Sequence, residues 1–305
     1  MSIQSSASPG RESAIFAMVL VGSTFLLATS FVAGRVLVLK VDPLPLVGWR
    51  FLLAAIATLP LAIWEIRRAG ASGFGALLPR RDQVWVVLLV GLLQTGLVMG
   101  LLFYAIQRLG APTAAIILFT NPIWVGLAAP WILGDRLTPM LVTGLVIGIS
   151  GVALALGLGQ GVISTDPVGY LAALGASFTW STSTLLQKRV GISLPPFTLA
   201  SWQMFIGGLA LLAAAILTGT PWIGGIQGLD WLTFLWLSVP GSVGAFGLWS
   251  VALATGGAAR ASGFLFLTPA FVVLLSGLIL GTAITPSQMI GGAMIGLSIW
   301  LINRP

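Results

Sequence analysis

The chain has 305 residues, of which 57% are hydrophobic and 7% charged, with a formal net charge of +7 and neither cysteine nor histidine. Soluble domains carry about 25% charged residues, so this composition excludes an ordinary soluble protein and places the chain in a lipid bilayer. The missing side chains exclude a Cys–His or Ser–His nucleophile and an ordinary zinc site. No pair of aspartates lies inside an apolar run, as an intramembrane protease would require. No enzyme activity, cofactor or metal is therefore expected.

The opening MSIQSSASPG is small and polar, and residues 1–13 read as a disordered cytoplasmic tail. Apolar runs follow at 14–37, 44–64, 84–106, 112–131, 139–157, 167–187, 196–217, 230–253, 259–279 and 286–302. Each is near the ~20 residues that cross ~30 Å of hydrocarbon at 1.5 Å per residue. None alternates like a barrel strand, so all are expected to be helices. The first run is too long for a signal-peptide core and is kept as a span. The prediction is an all-α integral membrane protein of ten transmembrane helices.

The first span carries Ser30, and the second Arg50, the one ionisable residue well inside a predicted helix. Arg50 has two readings. Its stem can snorkel to the interface, or its planar fork can hold a substrate carboxylate in a cavity. The third span carries Gln94. The fourth reads IILFTNPIWV at 116–125, with Asn121 beside Pro122 in mid-span. Proline lacks the N–H and clashes with the carbonyl four residues back, so the Leu118 carbonyl loses its partner. In hydrocarbon it must be buried in protein or face a polar cavity. The sixth span places Ser177, Ser181, Thr184 and Lys188 along one stripe beside Trp180, and the seventh carries Gln203. The eighth has Ser238, Ser242 and Trp249 on one face, bent by Pro240, and the ninth has Pro269 near its middle, which frees the Leu265 carbonyl. Ser30, Arg50, Gln94, Asn121, Trp180, Ser181, Thr184, Gln203, Ser242 and Trp249 are the cavity candidates. Pro122, Pro240 and Pro269 are the helix-break or gating candidates.

Trp64, Trp85, Trp131, Trp222, Trp231 and Trp300 fall near predicted helix ends, where an interfacial belt would put them. GLVMG at 96–100, GLVIG at 144–148 and GAMIG at 292–296 are small-xxx-small patterns suited to helix packing or a homodimer face.

A displacement of 147 residues sets 110–139 on 257–286 without a gap, matching Gly110 to Gly257, Phe119 to Phe266, Pro122 to Pro269 and Pro139 to Pro286. The chain is thus read as two five-helix units, 14–157 and 167–302. An odd number of spans per unit makes the second inverted relative to the first. With the N-terminus inside, one face receives Arg11, Arg67, Arg68, Arg80, Arg81, Arg136, Lys188, Arg189, Arg260 and Arg304, and the other only Arg35, Lys40 and Arg108. That asymmetry predicts cytoplasmic termini in a bacterial-type inner membrane. It also accounts for the net charge, so the expected partners are a small-molecule substrate and the bilayer rather than nucleic acid.

The segments APTAAIILFTNPIWVGLAAPWILGDRLTP and AARASGFLFLTPAFVVLLSGLILGTAITP, together with the five-plus-five repeat, resemble the drug/metabolite transporter superfamily, specifically its EamA-type exporters. Family members usually carry Gly-Glu at the turn after the kinked helix, where this chain has Gly134-Asp135 and Gly281-Thr282. The resemblance implies export of amino acids or other small metabolites. The carboxylates all fall at predicted helix ends or in loops, which argues against a conventional carboxylate proton relay and leaves uniport, exchange, proton-carrying substrate or carbonyl-bound sodium open. A channel-like pore is the alternative to alternating access.

Cysteines introduced at Ser5 and Ser72 should be labelled only from the cytoplasm, and one at Gly225 only from outside. Labelling at Gly225 from within would overturn the topology.

Overall fold

The computed structural model describes residues 9–70, 74–134, 139–155, 166–220, 222–249, 267–283 and 285–302. Its helices are α1 (Pro9–Val38), α2 (Pro43–Arg68), α3 (84–109), α4 (Ala111–Leu118), α5 (Asn121–Ile132), α6 (Pro139–Ala155), α7 (Pro167–Val190), α8 (Pro196–Leu217), α9 (229–249), α10 (Leu267–Leu280) and α11 (Pro286–Ile302). Proline opens α1, α2, α6, α7, α8 and α11. Its fixed φ suits the first helical turn, where a missing N–H costs nothing.

Six helical stretches among the described residues are long and apolar enough to cross a bilayer, and no strand occurs among them. The fold is the all-α membrane architecture that the composition requires. α7 falls short on hydropathy because it is hydroxyl-rich, yet Ser177, Thr179, Ser181 and Ser183 are buried. Its polarity faces protein rather than lipid. The expected span 112–131 is two helices, α4 and α5, separated at Phe119 and Thr120. Residues 250–266, which include Leu265 and the first part of the expected ninth span, lie outside the described residues.

Two tight helix pairs, α2 with α8 and α6 with α11, each join corresponding members of the two five-helix units. Their approach depends on small residues. A Cβ at Gly48 would stand 3.2 Å from the Gly208 carbonyl, and one at Gly208 would stand 3.1 Å from the Gly48 carbonyl. Gly151 lies as tightly against the Gly291 carbonyl, at 2.9 Å. The Glu65 carboxylate at the end of α2 accepts from the Phe197 N–H at 3.0 Å, satisfying one free donor at the start of α8. α3 packs on α7, and α1 on α9 and α10. α3 passes into α4 through Gly110, whose φ of 85° lies in the left-handed region that favours glycine.

The three basic residues expected outside are each tied down. Lys40 pairs with Asp230 at 2.7 Å and Arg108 with Asp166 at 2.7 Å, while Arg35 donates to the carbonyls of Ile106 and Gln107. The Arg108 hydrogen bond, helped by the Gly169 N–H, holds the Asp166 carboxyl below its ordinary value. The six tryptophans assigned to the interfacial belt are all exposed. Gly225 has φ 86° with the Lys40 carbonyl 2.9 Å from a built Cβ, so the adjacent Gly224, with open space around it, is the better labelling position.

A Cβ at Gly207 would collide with Thr95 and stand 2.6 Å from the Gly96 nitrogen. Gly207→Val is therefore expected to destabilise the fold by about 1–3 kcal/mol, read as a lower melting temperature in detergent, while Gly224→Ala leaves it unchanged. Equal melting temperatures for the two variants would contradict this close packing of α8 against α3.

Candidate functional site

The helical ladder is irregular at three described places. At the first, Phe119 and Thr120 form a tight turn, with the Phe119 N–H donating to Ala115 and the Thr120 N–H to Ile117. Pro122 supplies no donor for the Leu118 carbonyl four residues back. Hydroxyls of α7 close over this turn. Ser181 donates to the Asn121 carbonyl at 2.8 Å, and Ser177 and Thr120 share a hydroxyl–hydroxyl bond of 2.8 Å.

The other two places are widened turns at matching points in the third helix of each unit, Gly91–Leu97 in α3 and Val239–Gly244 in α9. Here N–H groups reach five residues back, Val98 to Leu93 and Ala245 to Pro240. Such π-type turns are uncommon and frequent at functional sites. α1 covers the second of them. Ser30 donates to the Gly241 carbonyl at 2.9 Å and Ser23 to the Ala245 carbonyl at 2.8 Å. A side chain at Gly241 would collide with the Ser30 hydroxyl.

Arg50 reaches the same turn from α2. Its Nε donates to the Leu237 carbonyl at 3.2 Å and the Ser242 hydroxyl at 3.1 Å, and its Nη2 to the same hydroxyl at 2.9 Å. The guanidinium carbon stands 4.7 Å from the Phe51 ring centroid and 5.2 Å from that of Phe103. Arg50 is only 4% exposed. The snorkelling reading is therefore corrected: a residue two turns into α2 finds hydroxyl, carbonyl and ring faces within the bundle, and does not extend to the interface. No carboxylate pairs with it among the described residues.

Arg50 borders a small, partly open chamber of about 40 Å³, with Leu27, Ser30, Leu118, Phe119 and Trp180 in its wall. Trp180 meets Phe119 edge-on at 5.9 Å, and Phe31 lies 6.2 Å from Phe119 on another side. Of the sequence candidates, Ser30, Arg50 and Trp180 line this chamber, and Ser242 holds Arg50 from behind. Ser181 and the backbone of Asn121 stabilise the turn beside it. Pro122 follows that turn, Pro240 lies within the widened turn of α9, and Pro269 stands in the first described turn of α10.

The remaining candidates are elsewhere. Thr184 bonds to the Trp180 carbonyl of its own helix, and Gln203 approaches Gln187 at 3.4 Å. Trp249 packs on Phe16 and Leu20. Gln94 sits in the widened turn of α3, its Oε1 buried without a hydrogen bond. Sequence reasoning missed Phe31, Phe103 and Phe119, because an aromatic in an apolar run looks the same whether it faces a cavity or a core. A wider groove of about 590 Å³ between α2, α3 and α8 contains none of the candidates.

A multi-helix membrane bundle with irregular helices around a small central chamber belongs among the transport proteins rather than the enzymes. The EamA-like transporter family model matches the chain twice, over residues 14–157 and 167–304, and the chain belongs to that family. An uncharacterized transporter of Synechocystis sp. is 28% identical over 94% of this chain and 89% of its own. A WAT1-related chloroplastic protein of Arabidopsis thaliana is 27% identical over 92% of this chain and 69% of its own. A protein of Streptantibioticus cattleyicolor named "Probable terminal-alkyne amino-acid exporter" is 25% identical over 95% of this chain and 93% of its own. A crystal structure shares the fold at a TM-score of 0.64 and 21% identity, covering 93% of this chain and 96% of that one.

Pro122→Ala returns a donor to the Leu118 carbonyl. The expected result is a melting temperature unchanged or raised, with transport per folded molecule clearly reduced. Ser181→Ala, which removes the bond to Asn121, should instead lower stability by about 1 kcal/mol. Full transport by Pro122→Ala would separate the turn from function.

Proposed function

We propose that the protein is a secondary transporter that exports small carboxylate-bearing metabolites, amino acids foremost, by alternating access at the Arg50 chamber. The observation that carries this reading is the buried guanidinium, 4% exposed, whose described partners are a hydroxyl, a carbonyl and ring faces. A buried cation without a countercharge is strongly unfavourable. A substrate carboxylate supplies that charge in the planar geometry that arginine fits best. The name of the Streptantibioticus relative, an amino-acid exporter, agrees with a carboxylate substrate.

A chamber of about 40 Å³ has room for no more than a few waters. Binding a metabolite therefore requires the two inverted units, 14–157 and 167–302, to part. The turn at Phe119–Thr120 and the widened turns of α3 and α9 are the hinges, since each interrupts a regular ladder. The ten basic residues on one face against three on the other, two of those three paired with carboxylates, favour cytoplasmic termini in a bacterial-type inner membrane. Glu65 is engaged at the start of α8, and uniport or exchange suits the chain better than a proton relay.

Purified protein in liposomes preloaded with amino acids should show saturable counterflow. Arg50→Gln is expected to raise the apparent KM at least about tenfold, equivalent to ~1.4 kcal/mol, without loss of folded protein, and Arg50→Lys to fall between. Flux linear in the gradient would indicate a channel-like pore. Normal counterflow by Arg50→Gln would remove the carboxylate reading.

A further inference from the structure

Phe119 also borders a second, half-open cavity of about 440 Å³, formed by α4, α10 and α11 and lined among others by Ile116, Pro269, Val273, Gly292 and Gly296, with Leu274 and Met289 exposed at its edge. Phe119 belongs to the walls of both cavities. It sits in the turn between α4 and α5, where Pro122 leaves the ladder incomplete. The lining is apolar apart from Gln288, whose amide is already engaged by the Thr113 hydroxyl at 2.9 Å.

The glycines of GAMIG give the independent observation. Gly96 and Gly148 of the similar patterns face neighbouring helices closely or within contact distance, as expected of packing glycines. Gly292 and Gly296, one turn apart on α11, have nothing within 4 Å of a built Cβ. Among the described residues they touch no neighbouring helix, and what their lack of side chains does is keep the floor of this cavity clear.

We propose that the second cavity is the apolar subsite of the transporter, and that its substrates are carboxylates with a bulky apolar tail, the carboxylate held at Arg50 and the tail lodged over Gly292 and Gly296 once Phe119 swings aside. This rests on the carboxylate reading of Arg50 and narrows it to a substrate class. Charge complementarity fixes the polar end, since the one buried unpaired cation among the described residues borders the chamber that Phe119 also lines. The apolar lining points to the other end, because a site for small polar amino acids alone has no use for an adjoining apolar groove.

The test compares L-alanine with L-phenylalanine, both as counterflow substrates and as ligands that raise the melting temperature of the purified protein. Wild type should prefer L-phenylalanine. Gly292→Leu and Gly296→Leu enter open space and should fold normally. Each should raise the apparent KM for L-phenylalanine about tenfold or more while changing that for L-alanine less than about twofold, the range over which apolar pockets discriminate. Phe119→Ala should retain the preference for L-phenylalanine and speed its exchange. Equal response of both probes to the glycine variants overturns the subsite, as does a wild type that binds neither probe or both equally. So does a phospholipid or second copy of the chain that occupies the groove and is not displaced by L-phenylalanine. If Arg50→Gln behaves normally, the carboxylate reading itself fails. If Arg50→Gln is impaired for both probes while the glycine variants leave their ratio unchanged, only the apolar subsite fails.

Discussion

A backbone carbonyl in hydrocarbon has no water to bond with, so every departure from the helical ladder must be satisfied by protein. At two of the three irregular places, partners come from the opposite unit. The turn between α4 and α5, in the first unit, is closed by Ser177 and Ser181 of the second. The widened turn of α9, in the second unit, is closed by Ser23, Ser30 and Arg50 of the first. Irregular backbone occurs where two units meet because that is where foreign hydroxyls are within reach. The same contact that permits the irregularity thereby ties it to the relative position of the units.

Arg50 obeys this rule with a charge in place of a carbonyl. Its donors fall on Ser242 and Leu237 across the interface, while ring faces of Phe51 and Phe103 offer weak electrostatic support. Neutral partners are enough to hold the side chain in place and too few to neutralise it. A permanent carboxylate neighbour would stabilise the empty site and compete with any anionic substrate. The shortage of acids, apparent from the composition, thus has a local expression at the centre of the bundle.

The span pattern was legible because hydrophobic length is a direct physical requirement of the bilayer, and proline starts at 139, 167, 196 and 286 located helix beginnings to the residue. Breaks were less legible. Pro60 and Pro130 lie inside unbroken helices, whereas Pro122 follows a break and Pro240 sits in a widened turn. A proline alone does not decide between these outcomes, and a sequence does not state which helices face one another. The widened turn of α3 has no proline and left no signal at all. Arg50 was identifiable as unusual from its depth, but its burial depended on a serine 192 residues away.

The cross-unit serines also impose a schedule on the growing chain. Ser23 and Ser30 precede their carbonyl partners by 222 and 211 residues, an interval on the order of 10–45 s at ordinary rates of protein synthesis. A side-chain amide or charge would spend that time unpaired in lipid. The Ser30 hydroxyl also reaches the Leu26 carbonyl of its own helix, at 3.2 Å. A serine can therefore wait in the membrane with its proton already shared, then extend that bond to its distant partner when the second unit arrives.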